Sequence, residues 1–203
     1  MELNELISIW QSGDAQLENS LKINKKLLKE VSISKIKSYL VEFKLSNIIE
    51  IFVNSVFMIF LMNFIVNHFL VLKYLIPSVV LYIIIAGSLG LNIYKLVLFY
   101  RINVESSVIQ TQKNIERLKF FEILDKNALY IIIPIFSTAF LIVMAKAILN
   151  FDLYQFGNWL IIFTAGSFVI ALVIVFVLKK FPNRNLQKAA TFLKEVTDME
   201  HDK

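Results

Sequence analysis

The chain has 203 residues, of which 57% are hydrophobic and 18% charged, with 18 Phe, 5 Gly and 3 Pro, and its mean hydropathy is +0.66. This composition excludes disorder, collagen-like repeats and an ordinary soluble domain, and it points to an all-α polytopic membrane protein. With no Cys, and with His68 and His201 the only imidazoles, disulfides, thiolate zinc sites, cysteine nucleophiles and His-rich metal sites are excluded too.

The N-terminal segment, residues 1–47, is charged and amphipathic and lacks the pattern of a cleaved signal peptide. Leu3, Leu6, Ile7 and Trp10 follow the i, i+3, i+4, i+7 spacing of one apolar helix face. Ser12-Gly13-Asp14 predicts a break, with Asp14 as the N-cap of the next helix. There Leu17, Leu21, Asn24, Leu28 and Val31 are spaced alternately by four and three, the pattern of a seam packed on another helix. Asn24 either fixes register against a partner or marks a seam that is only half buried. Lys22, Lys25, Lys26 and Lys29 point away from the seam, toward water, anionic headgroups or an acidic partner. Ser32 and Ser34 predict a second interruption, after which Ile33, Ile36, Leu40 and Phe43 resume an amphipathic helix running to the membrane.

A bilayer core of about 30 Å needs about 20 apolar helical residues, and four stretches qualify: Ile48–His68, Leu75–Tyr94, Leu129–Leu149 and Trp159–Leu178. They form two hairpins, 48–94 and 129–178, separated by a connection, 95–128, and followed by a tail, 179–203. Seven Lys or Arg precede the first span, six lie between the second and third, and six follow the fourth, against only Lys73 and Lys146 on the other side. The positive-inside rule therefore puts both termini and the long connection in the cytoplasm. Tyr74, Tyr94, Tyr100, Tyr130, Tyr154 and Trp159 near the span ends agree with an interfacial aromatic belt.

Within the spans, Glu50, His68 and Lys146 sit near the ends, within reach of the interface. No charge falls near mid-membrane, which argues against a proton relay, voltage sensor or ion-coupled carrier. Asn54, Asn63, Asn67, Asn92, Ser137 and Thr138 read as interhelical hydrogen-bonding groups rather than a pore lining, because Asn54 lies opposite Asn63 on the first helix. No serine elbow, phosphate-cradling Gly-rich loop or zinc-protease motif occurs, so the expectation is a non-enzyme with no cofactor and no metal.

A straight helix over the whole of 95–128 would reach about 50 Å from the membrane, so that connection has to bend or lie along the surface. With Asn103 or Ser106 as a cap, Val108, Ile115 and Leu118 share one face. In the tail, Leu186, Ala190, Leu193 and Val196 make another amphipathic helix after Pro182. The expected arrangement is a small cytoplasmic helical bundle below two membrane hairpins.

Leu81-Tyr-Ile-Ile-Ile-Ala-Gly-Ser88 aligns with Leu160-Ile-Ile-Phe-Thr-Ala-Gly-Ser167 at a shift of 79. Either the halves are a parallel duplication or apolar spans match by chance, Ala-Gly-Ser being the distinctive element. Ala86 and Gly90 in the second span, and Ser167 and Ala171 in the fourth, have small-x-x-x-small spacing. With Gly87 and Gly166 they are the expected helix-packing residues, and the second and fourth spans are expected to touch through Gly90 and Ser167.

The opening Met1-Glu-Leu-Asn-Glu-Leu-Ile-Ser-Ile-Trp-Gln11, the stretch Leu21-Lys-Ile-Asn-Lys-Lys-Leu-Leu-Lys-Glu30 and the tail Lys179-Lys-Phe-Pro-Asn183 resemble a group of uncharacterised bacterial four-span inner-membrane proteins, often encoded beside an extracytoplasmic-function sigma factor. The resemblance covers nearly the whole chain and implies a membrane-tethered anti-sigma role. The chain departs from zinc-type anti-sigma proteins in having four spans and no His-x-x-x-Cys-x-x-Cys motif. On this reading Leu3, Leu6, Ile7, Trp10, Leu17, Leu21, Leu28 and Val31 bind a cytosolic partner, a sigma factor, with no direct nucleic-acid binding. A segment this small cannot bury both apolar faces alone, so its own bundle, a second copy (a homo-oligomer) or the partner has to cover them. Other classes remain open: a small-solute or lipid transport component, or a structural subunit of a membrane assembly.

Overall fold

A computed structural model of the chain describes residues 3–102, 108–180 and 184–201. The described residues form α1 (Leu3–Asn67), α2 (Leu72–Tyr100), α3 (Val108–Leu149), a 3-10 turn (Leu153–Phe156), α4 (Gly157–Lys180) and α5 (Arg184–His201). α1 to α4 each contain one stretch long and apolar enough to cross a membrane. The protein is therefore all-α and polytopic.

α1 is one helix of 65 residues, about 98 Å at 1.5 Å per residue. This corrects the expected breaks at Ser12-Gly13-Asp14 and at Ser32/Ser34, because the helix runs through both, and Asp14 lies inside α1 rather than at the start of a helix. The physical reason is cooperativity. Gly13 costs a helix interior only about 1 kcal/mol, and without a proline a helix that is already nucleated on both sides propagates across such a site.

α1 pairs with α2, α2 with α3, and α3 with α4, while α5 packs back on α1 and α3. α3 lies between α2 and α4, which share no extended contact. The long connection does bend: α2 runs on past its span to Tyr100, the chain turns at Arg101, and α3 returns from Val108. Both flanks of the connection are thus helical extensions of spans.

Two apolar clusters hold the molecule together. One lies between the spans and includes Leu61, Phe64, Leu81, Ile85, Ile142 and Val143. The other lies beyond the span ends, where Ile36 and Leu40 of α1, Leu98 of α2, Leu118 of α3 and Leu186 of α5 are fully or almost fully buried. It forms a basal four-helix bundle. Ile33, Ile36, Leu40 and Phe43, the face read from the sequence, supply the α1 side of it. In the tail helix the buried residues are Leu186, Ala189 and Leu193, with Ala190 at the edge. The side chain of Val196 lies outside the described residues. Outside both clusters the membrane helices are apolar, with residues such as Phe52, Ile59, Ile161 and Val169 exposed. That is the surface expected of helices in lipid.

Candidate functional site

The sequence-derived docking face falls on the part of α1 that projects beyond the basal bundle. Leu17, Leu21 and Val31 are 66%, 54% and 65% exposed, and Asn24 between them is exposed too. The side chains of Leu3, Leu6, Ile7, Trp10 and Leu28 lie outside the described residues. At 100° per residue, this seam is turned by roughly 120° from the stripe Ile33/Ile36/Leu40/Phe43 that the bundle buries. The bundle therefore uses a different face of α1 and leaves the described part of the seam uncovered.

Of the expected packing residues, Ser167 and Ala171 are buried, at 4% and 1% exposure, and Ala86 is half-buried. Gly87, Gly90 and Gly166 are exposed, and a Cβ added at any of them would meet nothing within 4 Å. The expected contact between the second and fourth spans is not formed. Ser167 and Ala171 belong instead to the stripe Leu160/Ser167/Ala171/Val175, the buried face of α4, and α4 packs on α3. Small side chains on that stripe allow close approach, and beside it the Thr138 and Thr164 hydroxyls bridge the two helices at 3.0 Å.

A cleft of about 1170 Å³ opens where the spans meet the basal bundle, between α1, α2 and α3, with Leu178 and Arg184 at its edge. Its polar wall is a ladder on α1, Glu42, Ser46, Glu50 and Asn54, four residues apart and so on one helix face. The opposite wall is apolar in its membrane half, formed by Ile84 and Leu91 of α2 and Leu129, Ile133 and Phe136 of α3. Charge is concentrated at the other end. There Lys95, only 6% exposed, pairs with Asp125, and Lys126 pairs with Glu122 at 2.8 Å. Glu50 meets only neutral donors among the described residues, accepting from Asn92 Nδ2 at 3.0 Å and from Ser46 Oγ at 3.4 Å. Glu42 accepts from the Asn185 amide. Asn54 Nδ2 donates to Ser88 Oγ at 3.3 Å, joining α1 to α2.

Asn54 and Asn92, expected as interhelical groups, both make interhelical hydrogen bonds. The cleft that they line is not legible within the span boundaries. Inside the first span Asn54 lies opposite Asn63, whereas the polar stripe runs the other way, out of the membrane. The i, i+4 spacing of Glu42, Ser46, Glu50 and Asn54 was the available signal. Asn63 and Asn67 bond to each other on an exposed face at 2.6 Å.

At the opposite end of the spans, Lys73 in the first turn of α2 pairs with Asp152, just before the 3-10 turn of the second hairpin. The hydrogen bond and charge of Asp152 hold Lys73 above the ordinary lysine range, and Lys73 in turn holds the Asp152 carboxyl below the usual carboxylate range. Burial raises the Tyr154 phenol. Tyr74 lies buried at the centre, its ring 6.3 Å from that of Tyr154, with the Lys73 and Lys146 ammonium groups 5.1 and 5.4 Å from its centroid. Both cations on this side are thus engaged in structure. Among the described residues, no group of His, Asp and Glu could hold a metal ion. No known protein family, curated protein or solved structure matches this chain.

Proposed function

We propose that this chain is a non-enzymatic protein of the bacterial inner membrane whose basal helices face the cytoplasm and whose α1 arm holds a cytosolic regulatory protein, a sigma factor, at the membrane. The observation that carries this reading is the exposure of Leu17, Leu21 and Val31. Of the three ways to cover that seam, packing on the protein's own bundle is not used by these residues. Lys22 and Lys26 are exposed on the opposite face of α1, where Lys22 pairs with Glu18 at 3.2 Å, so the seam itself offers a partner apolar side chains.

The test places a photo-crosslinking amino acid at position 21 in cells, with position 36, inside the bundle, as control. The expected result is an adduct with a sigma factor at position 21 only, lost on Leu17→Asp. An adduct between two copies of this chain would replace the tether with self-association, and absence of any protein adduct would end it. Trp10→Ala should weaken partner binding by about 2 kcal/mol, as loss of a buried aromatic anchor does. Reporter fusions after Lys203 and within residues 69–72 should report cytoplasmic and outer sides respectively.

A further inference from the structure

The cleft between α1, α2 and α3 combines two features that a purely structural gap does not require, and neither depends on the docking arm. Its polarity changes along the membrane normal: Ile84, Leu91, Ile133 and Phe136 line the half among the spans, while Glu42, Lys126 and Arg184 line the half at the basal bundle. This is the same gradient that one leaflet of a bilayer presents, acyl chain on one side and headgroup on the other. Its volume, about 1170 Å³, also exceeds the usual range of about 300–1,000 Å³ for small-ligand pockets. That suits a bulky amphiphile.

Its charges identify the headgroup. Lys95 and Lys126 are committed to Asp125 and Glu122, which removes them as free anion receptors. Glu42 and Glu50 are left with neutral amide and hydroxyl donors among the described residues. Arg184, at the start of α5, makes no ion pair with a described residue. Two uncompensated carboxylates on one helix face and one guanidinium at the rim match a cationic group linked to a phosphate. A primary ammonium can donate several hydrogen bonds to a carboxylate, whereas a quaternary one is recognised by an aromatic cage. Among the described residues, Phe43 and Phe136 are the only aromatic ones lining the cleft.

We propose that this cleft is a binding site for a zwitterionic glycerophospholipid bearing a primary ammonium, of the phosphatidylethanolamine type. The ammonium meets Glu42, whose donor Asn185 adjoins Arg184, the phosphate meets Arg184, and an acyl chain lies along Ile84, Leu91 and Ile133, past Glu50. Gly87, which lines the cleft and has open space where a Cβ would stand, leaves room for that chain.

The test is native mass spectrometry of the full chain in detergent, titrated with phosphatidylethanolamine, phosphatidylcholine or phosphatidylglycerol of identical acyl chains. The first phosphatidylethanolamine should bind at least about tenfold more tightly than either of the others, the scale of one charge-assisted hydrogen bond. Glu42→Gln with Glu50→Gln should abolish that preference, and Gly87→Phe should remove the tight site without lowering the melting temperature. Equal binding of the three lipids, preference for phosphatidylglycerol, or unchanged binding in these variants would overturn the proposal. Should a variant fail to fold, phosphatidylethanolamine with a photoactivatable acyl chain on the wild-type protein decides. Labelling of residues 83–91 and 129–136 supports the site, and labelling confined to outward residues such as Phe52 and Ile59 refutes it.

Discussion

The Tyr154 hydroxyl donates to the backbone carbonyl of Lys73 at 2.8 Å, and Pro77, inside α2, explains why that carbonyl is available. In a regular helix it would accept from the N–H of residue 77, which proline lacks. A hydroxyl from the second hairpin therefore meets a backbone group that the first leaves open.

Tyr154→Phe should cost about 1 kcal/mol, the usual worth of such a bond. Pro77→Ala restores the helical donor, and in that background Tyr154→Phe should cost at least about 0.5 kcal/mol less, a coupling of the size expected for groups in contact. Melting of the four proteins in detergent measures it. Additive effects would show that the two residues act independently.

The pairing of Lys73 with Asp152 sets a pH window. Asp152 is lowered by the Lys73 hydrogen bond, so its contribution is present above the ordinary carboxylate range and is lost as pH falls through its folded value. Lys73 is raised by the Asp152 hydrogen bond, so its contribution is present below the ordinary lysine range and is lost as pH rises through its folded value. The difference in melting temperature between wild type and Asp152→Asn should therefore stay constant between about pH 5 and pH 10 and shrink outside those limits. A gap that changes steadily across neutral pH would contradict the pairing. Tyr154, raised by burial, keeps its proton across the same window and remains a donor.

Ser167 and Gly90 should respond differently to the same substitution. Ser167→Leu overfills the buried face of α4 and should cost about 1–3 kcal/mol. Gly90→Leu enters open space and should change stability by no more than about 0.5 kcal/mol. Thermal melting of both variants checks the pair, and equal losses would restore a contact at Gly90.

Asn114 is fully buried in α3, and neither polar atom of its side chain has a hydrogen-bond partner among the described residues. An unsatisfied buried amide costs about 1–3 kcal/mol. Asn114→Leu, close in size, should raise the melting temperature by several degrees, at about 2–4 °C per kcal/mol for a chain of this length. A lower melting temperature would show that the amide is satisfied.

The sequence by itself determined the class and the membrane spans. Runs of about 20 apolar residues have no stable alternative to a helix in lipid, where every backbone group has to bond within its own segment. The bundle face Ile33/Ile36/Leu40/Phe43 was legible for a related reason, since helical periodicity places those residues together whatever they pack against. The tertiary structure decided the matters that depend on which helices become neighbours. Small residues are equally good packing surfaces for any helix, so the spacing at Ser167 and Ala171 does not select α3 over α2. Likewise Glu42, Ser46 and Glu50 read as ordinary solvated positions until α2 and α3 close around them. Only then do Asn92, Lys95 and Asp125 join them around one cleft, because residues far apart in the chain form a common environment only once the helices have packed.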